Sequence, residues 1–195
     1  MNMEYDLTNH TTGSIKLILG CMYSGKTSEL IKEKDRWESI GVNILIINFA
    51  GDNRYGDDEF MYSHTNRKAK CVKVNTLDEV DQTLINDSQI ILINEGQFFC
   101  DLKRYVIEWC EKYKKHIVVA GLDGDFRREK FGQMLDLITY SNNVVKMTAL
   151  CALCKNGTEG LFSWRLSDEI EQTVIGASNY VPVCRYHYLE LNKKT

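Results

Sequence analysis

Ile15 to Thr27 reads IKLILGCMYSGKT, an apolar run that breaks into a glycine-bounded turn ending in Lys-Thr. The run through Leu19 has the character of a buried strand. From Thr27 to Ser39 the segment has Leu30, Ile31 and Trp37, and then Ile40, at helical intervals, so the order is strand, loop, helix. Between strand and helix, GCMYSGKT satisfies the pattern GxxxxGK[ST]. Gly20 and Gly25 let the backbone curl so that the amides of Cys21, Met22, Tyr23 and Ser24 face phosphate oxygens, and the helix adds the positive end of its dipole. Lys26 is placed to bridge the outer phosphates and Thr27 to ligate Mg²⁺. A chance glycine turn is the plain alternative, and the flanking strand and helix argue against it.

The same alternation continues outward. Asn43–Phe49 (NILIINF) and Gln89–Ile93 read as strands covered on both faces, which implies a parallel sheet, and His116–Leu122 (HIVVAGL) and Val144–Thr148 read as further strands. Helices are expected from a capping box at Thr76 to about Ile85, after Asp101 with Tyr105, Trp109 and Tyr113 on one stripe, and over Phe131–Tyr140. The stretch 51–67 loses its apolar pattern and reads as a surface loop. Residues 1–13 read as a polar arm, 14–149 as the nucleotide-binding α/β domain, and 150–195 as a small accessory module.

Composition narrows the partners. The 195 residues are 44% apolar, enough for one substantial core, and 24 basic against 27 acidic residues leave no broad cationic surface for nucleic acid. No apolar run approaches the roughly twenty residues that span a bilayer, and no leader pattern precedes the fold. A cytoplasmic protein with neither nucleic acid nor membrane as partner is expected. The seven cysteines are odd in number and suit reduced thiols, some on metal, better than disulfides.

The strand of QIILINEGQFF ends at Asn94 and Glu95, at the sheet edge where open α/β folds put their ligands. Proteins with this phosphate loop usually carry an Asp at the slot of Asn94. Its amide oxygen still offers Mg²⁺ or its water a contact, with one negative charge fewer. Glu95 is the candidate general base, since an attacking hydroxyl must lose its proton to a group within hydrogen-bond reach, and it could equally activate water. A solvated Glu capping a turn is the plain reading. Asp52, Asn53 and Arg54 follow the second strand, with Arg54 able to reach the phosphates or to be an ordinary surface arginine.

Cys151 and Cys154 (CALC) pair with Cys184 and His187 (CRYH) as a CxxC…CxxH set for Zn²⁺, four protein donors with no open position and therefore structural. Cys21, Cys71, Cys100 and Cys110 stand singly and read as core or surface thiols. The long excursion between the two metal pairs holds TVIGASNY, suited to lining a small-molecule pocket or to an ordinary hairpin.

In this order, GCMYSGKT, DNR, NEGQFF, GLDGDFRREKFG, CALC, VIGASNY and CRYH resemble the small zinc-containing thymidine kinases of type II, from about Gly13 to His187. That likeness implies ATP-dependent phosphorylation of thymidine at its 5′-hydroxyl, in nucleotide salvage for DNA synthesis. It implies a P-loop NTPase-like sheet with a C-terminal zinc module carrying a lasso loop. Glu95 would take the hydroxyl proton. Gly20 to Thr27, Asp52 to Arg54, Asn94 and Gln97 would hold Mg-ATP, with Thr27 and Asn94 toward magnesium. Phe126 and Phe131 would flank the nucleoside, and Gln172, Thr173, Val174, Ile175, Gly176 and Tyr180 would close over the base. Departures are Asn94 for Asp, His187 for the more frequent fourth Cys, and a lasso one residue short before Tyr180. Family members are typically homotetramers inhibited by thymidine triphosphate. The rival reading is a small P-loop ATPase or switch whose zinc module binds protein or nucleic acid, and it differs in consuming ATP without thymidine.

Overall fold

The computed structural model of the chain describes residues 12–52, 59–63, 67–173 and 179–193. In chain order the elements are β1 (Ser14–Gly20), α1 (Lys26–Glu38), β2 (Ile44–Phe49), β3 (Phe60–Tyr62), β4 (Lys68–Lys70), β5 (Val72–Val74), α2 (Gln82–Asp87) and β6 (Ile90–Ile93). Then follow α3 (Leu102–Glu111), β7 (His116–Gly121), β8 (Asn143–Met147), β9 (Ala149–Leu150), β10 (Glu159–Gly160), β11 (Phe162–Arg165), β12 (Tyr180–Val183) and α4 (Arg185–Asn192).

Six strands form one sheet in the order β5-β2-β6-β7-β1-β8. Each neighbouring pair is parallel, with Leu17 beside Val119 on one side and Val144 on the other. The strands alternate their side chains between two cores, as the pleat requires. Ile15, Leu17, Leu19, Ile91, Ile93, Ile117 and Val119 pack with Leu102, Val106, Trp109 and Cys110 of α3. Ile18, Ile90, Leu92, Val118 and Ala120 pack with Leu30, Ile31 and Trp37 of α1. The central strands are thus covered on both faces, which is why they read as near-continuous apolar runs, while the edge strand β8 is largely exposed. Its carboxyl edge collects Gly20, the residues after Phe49, Asn94 and the residues after Gly121.

The helical expectations need five corrections. The stripe that α3 buries is Leu102, Val106, Trp109 and Cys110, while Tyr105 and Tyr113 lie at its margin. Asp101 does not cap α3 with its side chain; its Oδ2 accepts from the backbone N–H groups of Leu77 and Asp78. The segment after Thr76 is a 3-10 turn over Leu77–Glu79, and a separate helix follows, capped by Asp81 accepting from Thr83 N. Leu135–Tyr140 is 3-10 rather than α, and Ile40 lies past the end of α1 and is exposed.

The remaining strands pair as small antiparallel ribbons: β3 with β4, β9 with β10, and β11 with β12. A third cluster joins Cys151, Val183, Cys184 and Tyr188, with Phe162 and Trp164 against it. It is the small core of the C-terminal module.

Candidate active site and metal centre

The phosphate loop leaves β1 where crowding demands glycine: a methyl on Gly20 would lie 2.4 Å from the Met147 carbonyl oxygen and 2.8 Å from Ser24 Oγ. Gly25, with φ +86°, turns the chain left-handed into α1, a conformation glycine adopts without strain. Lys26 Nζ donates to the Cys21 carbonyl at 2.7 Å, and Ser24 Oγ donates to the same oxygen at 2.9 Å. The lysine thus folds over its own loop, within reach of where a phosphate would sit. Tyr23, at φ +64°, is a non-glycine residue held left-handed at the tip.

A chain of buried and half-buried side chains ties the loop to the neighbouring strand ends. Thr27 Oγ1 donates to Asn94 Oδ1 at 3.3 Å, Asn94 Nδ2 donates to Asn48 Oδ1 at 2.9 Å, and Asn48 Nδ2 donates to Asp52 Oδ2 at 3.3 Å. Asn48 and Asn94 are 1% and 2% exposed. Three sequence-predicted residues, Thr27, Asn94 and Asp52, therefore meet through a fourth, Asn48, that the sequence reading did not single out. Asn53 and Arg54 lie outside the described residues.

Glu95, the next residue after Asn94, has φ +55°, a strained left-handed conformation for a non-glycine residue. Its Oε2 accepts from Gln97 Nε2 at 2.6 Å, while Gln97 Oε1 accepts from Leu122 N at 2.9 Å. Gln97 is buried and bridges the acid to the backbone just past β7. Phe131 meets Phe98 edge-on at 5.5 Å between ring centres.

The module reaches the loop directly. Cys21 Sγ donates to the Gly160 carbonyl at 3.2 Å, and Met22 N donates to Ser163 Oγ at 2.9 Å. Burial pushes the Cys21 thiol up, which keeps its proton on as donor. Between loop and module opens a cleft lined by Cys21, Asp123, Arg128, Lys146, Phe162 and Ser163. Arg165, also unanticipated, is buried with its guanidinium 3.8 Å from the Phe126 ring centre. It donates to Tyr180 Oη at 2.5 and 3.0 Å and to the carbonyls of Glu169, Glu171 and Gln172 at 2.5 to 3.0 Å. Gln172 Nε2 in turn donates to Asp125 Oδ2 at 2.9 Å. Phe126, Tyr180 and Gln172 are thereby gathered round one cation, and Thr173 is exposed beside them. Val174, Ile175 and Gly176 lie outside the described residues.

Cys151, Cys154, Cys184 and His187 bring their ligand atoms within 4.8 Å of one another and could hold a metal ion. The separations are 3.8 Å for Cys154 Sγ to Cys184 Sγ, and 3.5, 3.4 and 3.4 Å from His187 Nδ1 to the sulfurs of Cys151, Cys154 and Cys184. For Cys151, burial works against ionisation, but the backbone N–H groups of Cys154, Cys184 and Leu153 outweigh it and bring the thiol down to about 6. Burial and the neighbouring thiols push Cys154 the other way. Three sulfurs and an imidazole nitrogen converging at these distances form a donor set that a cation would complete.

Known proteins point the same way. The family described as "Thymidine kinase" matches residues 13–188. A protein named thymidine kinase from Yaba monkey tumor virus (strain VR587) is 38% identical over 188 residues, covering 94% of this chain and 99% of its own. One from Oryza sativa subsp. japonica is 37% identical over 184 residues, covering 91% and 67%. One from vaccinia virus (strain Western Reserve) is 38% identical over 182 residues, covering 91% and 98%.

Proposed function

The chain belongs to the thymidine kinase family, and from that premise we propose how its own residues transfer the γ-phosphoryl group of ATP to the 5′-hydroxyl of thymidine. The observation that supports the reading most is the 3.3 Å bond from Thr27 to Asn94. It joins the phosphate loop to the end of β6, so that Glu95 stands one residue from the group that meets the phosphate-loop hydroxyl. Glu95 accepts the proton of the attacking alcohol, held at one oxygen by Gln97. The amides of the Gly20–Thr27 loop and Lys26 hold the triphosphate, and Asp52 to Arg54 belong beside it. Magnesium bound with ATP neutralises charge on the phosphate oxygens, and Thr27 and Asn94, two oxygen donors side by side, suit such a hard cation. Phe126 and Phe131 flank the nucleoside, and Gln172 to Gly176 with Tyr180 cover the base.

The module's metal is read as zinc. Bonds of about 2.3 Å to sulfur and about 2.0–2.1 Å to nitrogen give a tetrahedron with S···S edges near 3.8 Å and S···N edges near 3.6 Å. The cluster's 3.8 and 3.4–3.5 Å separations fit that figure. With all four positions filled by protein, the ion is structural, and thiols kept reduced for it suit a cytoplasmic setting. The chain is divided on this reading into a nucleotide-binding part, 14–149, and a metal-binding part, 150–195, a division supported by the separate apolar cluster around Cys151, Val183, Cys184 and Tyr188. A homotetramer inhibited by thymidine triphosphate comes from the family likeness; exposed Ile138, Tyr140 and Val144 near the β8 edge suit self-association, and a monomer at all concentrations in sedimentation would reject it.

The decisive experiment is Glu95→Gln. Thymidine-dependent ADP formation is expected to fall by about 10²–10⁴-fold while ATP affinity stays within a few-fold. ATP consumption that ignores thymidine in the unaltered protein would favour the switch reading instead.

A further inference from the structure

Asp52, as a carboxylate, can only accept hydrogen bonds, and that fixes everything downstream of it. Asn48 must turn its NH₂ toward Asp52, which leaves its oxygen to face Asn94. Asn94 must then present its NH₂ to Asn48, which leaves its oxygen facing Thr27. The opposite setting of the two amides would put oxygen against carboxylate at one end and a nitrogen donor toward Thr27 at the other. Both amides are buried, so water does not relieve a wrong setting.

We propose that Asn48 is a positioning residue of this kinase, setting the Asn94 carboxamide with its oxygen toward Thr27 and hence toward the cation that accompanies the nucleotide. An Asp in place of Asn94 would offer oxygen in either orientation. An Asn does not, and the relay through Asn48 to Asp52 supplies the direction that the carboxamide lacks. The inference rests on Thr27 and Asn94 as the cation-facing pair.

The test measures Mn²⁺ affinity by electron paramagnetic resonance, in the full-length protein with a non-hydrolysable ATP analogue and no thymidine. Asn48→Leu is expected to weaken Mn²⁺ binding at least about tenfold, while affinity for the analogue without metal changes less than twofold. Asn94→Leu should do the same, and the double substitution should be no worse than Asn94→Leu alone, because Asn48 acts through Asn94. The exchange Asn48→Asp with Asp52→Asn keeps an acceptor toward Asn94 and should retain Mn²⁺ affinity within about threefold, once any change in metal-free analogue affinity, measured in the same variant because Asp52 is placed beside the triphosphate, is divided out; it also serves if Asn48→Leu does not fold. Unchanged Mn²⁺ affinity in Asn48→Leu, losses that multiply in the double variant, or an exchange variant as weak as Asn48→Leu would each overturn the relay. If Asn94→Leu weakens Mn²⁺ and Asn48→Leu does not, the relay alone fails. If neither does, the reading of Asn94 fails with it.

Discussion

Gly132 has φ +56°, and a methyl there would come 2.1 Å from the backbone oxygen of Gln97. Since the Gln97 side chain holds both Glu95 and the backbone of Leu122, crowding at position 132 is transmitted to the acid. Gly132→Ala should therefore lower kcat by at least about tenfold and leave ATP affinity nearly unchanged, with stability reduced by about 1–3 kcal/mol. Steady-state kinetics beside urea unfolding would separate the two effects; wild-type kcat in the variant would show that Gln97 does not govern the acid. At this scale the sequence spoke clearly wherever chemistry is local. The glycines of the phosphate loop and the two-residue spacers of the metal pairs need only neighbours to be recognised. Ser163 was silent because its partner, Met22, lies 141 residues away; Asn48 and Arg165 were silent because neither belongs to a spacing pattern, and their roles come from the way the fold turns them toward Asn94 and toward the Phe126 ring.

Elements tell a similar story. The central strands of the sheet were readable because burial on both faces leaves mostly apolar residues, and the structure trims them by a residue; β8, largely exposed at the sheet edge, is shifted one residue earlier. Helix starts were not, because a carboxylate caps whichever amides the fold brings to it. Asp101 serves Leu77 and Asp78, more than twenty residues earlier, instead of the helix it precedes. Asp101→Ala should consequently destabilise the protein by about 1–2 kcal/mol by freeing the 77–79 turn. Amide hydrogen exchange should rise at Leu77 and Asp78 rather than in the first turn of α3, and the reverse pattern would contradict the assignment.

For the whole molecule, the contacts from Gly160 and Ser163 to Cys21 and Met22 make the metal module a buttress of the phosphate loop as well as of the nucleoside side. Chelating the metal should raise the KM for ATP and for thymidine together, each by at least about threefold. Verified metal-free protein with an unaltered KM for ATP would mean that the two halves are energetically independent. In the sequence the metal pairs bracket only the excursion that holds TVIGASNY; their link to the phosphate loop through β10 and β11 is a property of the assembled fold.

The place of β1 between β7 and β8 also orders events in time. Ser14 aligns with His116, 102 residues later, and Lys16 with Asn143. A ribosome delivering the chain from its amino end releases the first strand long before either flank exists. Until then, the nascent nucleotide-binding turn has no scaffold to bend against, and its oily strand is exposed to chaperones and to misassembly.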